Sequence, residues 1–288
     1  MLHIFTDTDT DITPQIAALY NIDLISMPYI IDSKIIYPYK DFKEFKAKEF
    51  YDLLRSGIVP TTCALNVEEY KNYFEPIFAK GDDIFYIHFS RAMSASFNYM
   101  DQAIQELLIK YPNRKFYSLD SKAITIGSYN FVRAILDMLK NNSLEETIKW
   151  GNENVNHFVT YFYADDLKFF KKSGRVSGLA ATMGSIIGIK PIIYIDENGI
   201  MKNVGKEKGR KNAVRHLVEC VLNLGDDVKN HRIVIGHTDA LELANELKNE
   251  LIEKLGDDLN IDMVMVNPTA GSHCGPNGVG VSFFAKHR

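Results

Sequence analysis

Over its first 140 residues the chain alternates short β-rich runs with longer amphipathic ones. That alternation restricts it to an α/β architecture in which helices cover a largely parallel sheet. Leu2 to Thr6, Asp83 to Phe89 and Lys115 to Leu119 read as strands. The spacing predicts helices over Thr13 to Tyr20, with Pro14 in the first turn, Lys43 to Arg55, stopped by Gly57, Val67 to Ala79, Ser94 to Tyr111, and Ile124 to Lys140. Asn66 with Glu69 has the pattern of a capping box. Within Asp23 to Pro38, two β-rich runs flank Asp32-Ser33 and predict a small hairpin added to the parallel core as a cover.

The second half changes character. Ser143 with Glu146 marks another helix start, and Leu144 to Asn156, with the single tryptophan Trp150, forms the passage to a second unit. His157 to Tyr163 and Pro191 to Ile195 read as strands, the latter turning at Asn198-Gly199 into Ile200 to Val204. Arg232 to Gly236, Leu241 to Leu255 and Ile261 to Val266 form a strand, helix, strand series, and Val279 to Phe284 is a last strand. At 288 residues and 46% hydrophobic content, the chain has the size at which one core divides into two. The expected fold is α/β with two domains. Residues 1–150 form a mainly parallel sheet with helices on both faces, and residues 151–288 an α/β unit with a mixed, partly antiparallel sheet.

Charge and hydropathy narrow the function. A formal net charge of −4 argues against a nucleic-acid partner, which calls for a basic surface. No apolar run approaches the roughly 20 residues of a membrane helix, and Met1 to Asp7 reads as a strand rather than a signal peptide, so a cytoplasmic protein without stable membrane insertion is expected. Cys63, Cys220 and Cys274 lack metal-binding or disulfide spacing and are expected to be free thiols.

In an open α/β sheet, ligands lie beyond the carboxyl ends of the strands. Asp7-Thr8-Asp9, Ser90 with Ser94-Ala95-Ser96, and Asp120-Ser121 follow strands there, and Thr61-Thr62-Cys63 precedes a helix. Hydroxyls beside a helix N-terminus donate to an anion such as a carboxylate or phosphate, although a serine so placed is equally a preferred cap. Ser94 lacks the G-x-S-x-G elbow of a nucleophile, and nothing in the sequence connects it to His88 or His273 as a base. Asp7-Thr8-Asp9 resembles the first motif of haloacid-dehalogenase-like phosphatases. With Asp165-Asp166 as a metal-binding pair and Ser90 as a phosphate-binding hydroxyl, it supports an alternative reading as a magnesium-dependent phosphatase using Asp7 and Asp9. A turn with a helix start explains the same aspartates.

Two further segments crowd glycine beside basic residues or histidine: Lys171-Lys172-Ser173-Gly174-Arg175-Val176-Ser177, running on to Gly188-Ile189-Lys190-Pro191, and His273-Cys274-Gly275-Pro276-Asn277-Gly278-Val279-Gly280. Such clustering marks backbone that takes unusual dihedrals or comes close to another group. Neither G-x-G-x-x-G nor a Walker pattern is present, so nucleotide binding has little support. Val176 to Ile189 is rich in small and apolar residues, as in a tightly packed helix or one lying along a slender apolar ligand. Arg175 sits in a glycine-containing turn. His273 can donate to a carboxylate, while Cys63 and Cys274 read as small apolar fillers.

Taken in order, these pieces resemble the DegV family of bacterial fatty-acid-binding proteins over nearly the whole chain. The family's T-D-S-x-x-D corresponds to Thr6 to Asp11, its T-S-x-P-S loop to Thr62-Cys63-Ala64-Leu65-Asn66, and its S-x-x-L-S-G-T segment to Ser90 to Ser96. K-x-G-R-[IV]-S, I-K-P and H-x-G-P-x-x-x-G match Lys172 to Ser177, Ile189-Lys190-Pro191 and His273 to Gly280. The resemblance implies a non-catalytic, cofactor-free carrier that encloses one long-chain fatty acid between its two halves. It further implies presentation of the carboxylate to a separate, dihydroxyacetone-kinase-like fatty acid kinase, feeding phospholipid synthesis. By position, the carboxylate-binding residues carry over to Thr62, Ser94 and His273, with Arg175 as a contact to the kinase or the head group. Cys63, Leu65, Asn66 and Ala95 depart from the family pattern near the head-group loops.

Overall fold

Alternation in the first half produces a parallel sheet. In the computed structural model, which describes residues 1–173, 176–177 and 188–288, strands β2 (Asp23–Ile25), β1 (Leu2–Asp7), β6 (Asp83–His88) and β7 (Phe116–Asp120) lie side by side in that order, all parallel. Successive side chains of a strand point to opposite faces, and β6 is apolar on both. Ile84 and Tyr86 pack under α3 (Val67–Ala79) and α4 (Ser96–Lys110). Phe85 and Ile87 face α1 (Pro14–Tyr20) and α5 (Ile126–Leu139). Helices therefore cover both faces.

Helix starts follow their local chemistry. Thr13 caps α1 ahead of Pro14, and capping boxes open α3 at Asn66 and α6 (Leu144–Asn154) at Ser143. Three helices begin two or more residues later than the sequence predicts, α5 at Ile126 rather than Ile124. Helix α2 (Ala47–Arg55) starts after Phe42 and Phe45, whose rings pack against Phe50 and Tyr51 instead of continuing a helix. Helix α4 starts at Ser96 because Arg91–Met93 close a 3-10 turn and leave Ser94 extended, with φ −149° and ψ 133°.

The expected hairpin is β3 (Tyr29–Ile31) with β4 (Lys34–Ile36), turning at Asp32 and Ser33, both at positive φ. Its other edge pairs with β5 (Thr61–Thr62), so that Thr62 lies opposite Tyr29. Asp23 to Ile25, grouped with the hairpin on sequence, is instead β2 at the edge of the parallel sheet.

The second sheet has seven strands in the order β13 (Ile261–Met265), β12 (Ile233–His237), β14 (Val279–Phe284), β8 (Phe158–Tyr163), β10 (Ile189–Ile195), β11 (Met201–Lys208) and β9 (Val176–Ser177). It is mixed: β12 with β13 and β11 with β9 are parallel pairs, and the others are antiparallel. Val159, Val281 and Phe283 point to α8 (Arg210–Leu224) and α9 (Leu241–Leu255). Phe158 and Val234 point to α5. Helix α5, buried on every side from Ile126 to Val132, thus runs between the two sheets. The short α7 (Lys168–Ser173), α8 and the short α10 (Pro268–Cys274) have no counterpart among the helical runs read from the sequence. Among the described residues, no helix is long and apolar enough to cross a membrane.

Candidate functional site

The two sheets and the loops at their ends form a cavity with about 960 Å3 of empty space, counted together with solvent at its mouth. Met27, Phe89 and Met93 line it from the N-terminal half, and Phe162, Val266 and Ala270 from the C-terminal half. Ile126, in the first turn of α5, reaches it because Gly236 lacks a side chain: a Cβ there would lie 2.3 Å from Ile126 Cγ2. An apolar wall with a few convergent polar groups is what a ligand cavity requires.

Thr62, Ser94 and His273 all line this cavity. Thr62 is held on β5 by pairing with Tyr29, and its Oγ1 lies 3.0 Å from His273 Nε2, in the last turn of α10. Ser94 Oγ accepts the amide of Ser96 at 3.2 Å, which leaves the hydroxyl proton available to a ligand. Ser96 is the structural serine of the segment: its buried Oγ accepts the Leu65 amide at 3.1 Å and bonds Tyr70 Oη at 2.9 Å. Arg175 lies outside the described residues, as does most of the small-residue run after it. Cys63 and Cys274 line the cavity; burial pushes both thiols up, that of Cys274 to about 12, so neither is a ready nucleophile.

The phosphatase alternative loses its geometry. Asp7 is fully buried, and its carboxyl accepts Tyr86 Oη at 2.9 Å, the Asp9 amide at 3.0 Å and the Phe89 amide at 3.2 Å. Burial raises it to about 7, outweighing those bonds. A carboxyl so enclosed cannot attack a phosphate ester. Ser90, also fully buried, donates to Gly199 O at 3.0 Å. Asp165, imagined as a metal ligand, already faces two cations: Lys190 Nζ at 2.6 Å, and Arg210 through a fork at 2.7 and 2.8 Å. Burial alone would raise Asp165, but Arg210 and Lys190 outweigh it and hold the carboxylate below its ordinary range. His88 is unsuited as a base for Ser94, since it is fully buried, its Nδ1 engages Phe89 O at 2.7 Å, and burial lowers its pKa.

The same contacts explain the glycine-rich loop after α10. Asn277, at φ 66°, donates to Asp165 Oδ2 at 3.4 Å and accepts from Arg55 at 3.1 Å, while Arg55 also pairs with Asp239 at 2.6 Å. Lys190 of the I-K-P segment therefore serves the scaffold that presents His273. Sequence reasoning missed α10 itself, although Asn267-Pro268 is a cap followed by proline in the first turn. It also missed Thr160, a cavity-lining residue carried on the strand β8 with no motif around it.

The model of the family described as "Uncharacterised protein, DegV family" matches residues 1–286. A DegV domain-containing protein of Clostridium perfringens is 32% identical over 282 residues, spanning 97% of this chain and 96% of that protein. One of Caldanaerobacter subterraneus is 28% identical over 284 residues, spanning 98% of each. Among solved structures, a stearic-acid-binding protein from Eubacterium ventriosum superposes with a TM-score of 0.87 at 18% identity, covering 99% of both chains. A fatty-acid-binding DegV family protein from Thermus thermophilus gives 0.85 at 20% identity, with the same coverage. At such identities the structural likeness is one of fold.

Proposed function

This chain belongs to the DegV family, and from that premise we propose that it binds one long-chain fatty acid in the cavity between residues 1–150 and residues 151–288. The carboxylate points to Thr62, Ser94 and His273, and a separate dihydroxyacetone-kinase-like fatty acid kinase phosphorylates it there. The chain itself is a non-catalytic carrier working in the cytoplasm, and Arg175 contacts the kinase or balances charge at the head group. The observation that carries the reading is that Thr62, Ser94 and His273 line one cavity with a largely apolar wall, Thr62 Oγ1 lying 3.0 Å from His273 Nε2. The ligands of the Eubacterium ventriosum and Thermus thermophilus proteins support it.

The energetics suit a carrier. Burying a sixteen-carbon tail at ~0.8 kcal/mol per methylene contributes about 11 kcal/mol gross, so the tail supplies affinity and the head group needs only orientation. A hydrogen bond to a charged group adds ~1.5–3 kcal/mol, enough to fix a carboxylate that stays accessible to a kinase.

Mass spectrometry of an organic extract from the never-delipidated protein should find fatty acid in near-stoichiometric amount. Its absence, with reloading also failing, would sink the carrier reading. In the Thr62→Ala, Ser94→Ala double variant, fatty-acid affinity should fall by about tenfold or more with the folded state retained. An unchanged dissociation constant would remove these hydroxyls from the head-group site.

A further inference from the structure

Two polar groups on the cavity wall play no part in holding a carboxylate at Thr62, Ser94 and His273. Asp9, in the 3-10 turn Thr8–Thr10 after β1, lines the cavity and is 6% exposed, and its Oδ1 meets no hydrogen-bond partner among the described residues. Thr160, on the face of β8 that looks toward α5, also lines the cavity; it is 2% exposed, and its Oγ1 has no partner among the described residues either. The start of α5 brings them into one zone. The Thr125 amide donates to Asp9 O at 2.7 Å, and a Cβ on Gly127 would lie 2.3 Å from Thr160 Oγ1. Thr125, which also lines the cavity, is a β-branched residue at φ 51°, a conformation that costs energy and concentrates at ligand sites.

Buried polar side chains nearly always find partners, and one left unpaired against a plain alkyl chain costs stability in the loaded protein. An alkyl chain bearing a hydroxyl removes that cost, because a hydroxyl both donates and accepts. We propose that Asp9 and Thr160 form a second polar station, which selects long-chain fatty acids carrying a hydroxyl group part-way along the chain. Burial, reinforced by the charges of Asp7 and Asp11, keeps the Asp9 carboxyl protonated well above the ordinary carboxylate range. A neutral acid offers the hydroxyl both a donor and an acceptor. The inference rests on the fatty-acid reading and adds the ligand's substitution to it.

The test measures dissociation constants of the delipidated protein for octadecanoic acid and for a series of positional hydroxyoctadecanoic acids, in the wild type, in Thr160→Val and in Asp9→Leu. At least one isomer should bind the wild type about fivefold or more tighter than octadecanoic acid, and Thr160→Val should abolish most of that ratio. Thr160→Val keeps the side-chain shape, so it carries the test if Asp9→Leu does not fold. If octadecanoic acid binds and no isomer gains, or if the gain persists in the folded variants, the second station is overturned while the carrier reading stands. Failure of octadecanoic acid itself to bind overturns both.

Discussion

Gly275→Ala is expected to destabilise the protein by about 3–5 kcal/mol and to weaken fatty-acid binding with it. Gly275 ends α10 at φ 70° and ψ 176°, a region essentially confined to glycine, where a side chain costs ~1–3 kcal/mol. A Cβ would also lie 2.2, 2.6 and 2.9 Å from three ring carbons of Phe169, which is 1% exposed, and overpacking of that kind adds ~1–3 kcal/mol. Relieving that clash by a shift of the helix end would move His273, two residues earlier, away from Thr62 Oγ1. Urea unfolding gives the stability change and a ligand titration gives the affinity. Gly57→Ala is the matched control: Gly57 has φ 106° with nothing within 4 Å of its Cβ, so it should show only the backbone cost of ~1–3 kcal/mol without the packing clash. Equal losses in the two variants would dismiss the Phe169 contact as the cause.

The buried aspartates give the second large effect. Asp11 accepts the Asn267 amide at 2.9 Å and Asn267 Nδ2 at 2.7 Å on one oxygen, while the other has no partner among the described residues. Burial raises its carboxyl to about 7 against those two bonds, with Asp7 adding to the rise. Native Asp11 therefore keeps its proton up to about pH 7, whereas the unfolded chain releases it near 3.8. Folding takes up a proton between those values, so this contribution to stability falls as pH rises from about 4 to 7. An asparagine in its place would keep the Asn267 bonds, tolerate φ 57° and have no proton to lose. Asp11→Asn should thus gain on the wild type by on the order of 1–3 kcal/mol between pH 5 and pH 8. Taking the difference between the two proteins cancels the background from His88 and the surface carboxylates, and Asp7, Asp9 and Cys274 respond to the lost charge in the same direction. A difference in unfolding free energy that stays flat with pH would show that Asp11 titrates as an ordinary surface acid.

Elements marked by local chemistry were legible in the sequence, and those held by distant contacts were not. Val67 to Ala79 and Leu241 to Leu255 match their helices residue for residue, the first fixed by the Asn66 and Glu69 capping box. Asp32-Ser33 and Asn198-Gly199 announced their turns. The start of α4, by contrast, is set by the 3-10 turn that Ser90 closes, and that serine is held by Gly199 from the other half of the chain. The same holds in the cavity. Thr62, Ser94 and His273 stood in recognisable motifs, and they lie along one cavity. Thr160 stood in none, since only the pairing of β8 in the second sheet and the proximity of Gly127 give it a place. The aspartates after β1 misled in the opposite direction. Asp-Thr-Asp reads as exposed chemistry, but Tyr86 and the Phe89 amide, 79 and 82 residues away, turn Asp7 inward.

The place of β14 has a consequence for how the molecule comes into being. Residues 279–284 lie between β12 and β8 at the heart of the seven-stranded sheet, and Gly280 contributes to the cavity wall. Strands made much earlier in the chain must wait for this segment before they can join, a topology of high contact order that folds slowly. During synthesis the parallel sheet, complete by Asp120, can form first, whereas the second sheet stays open at its centre until the ribosome has released residue 284. A nascent chain therefore has no enclosed cavity until β14 has docked.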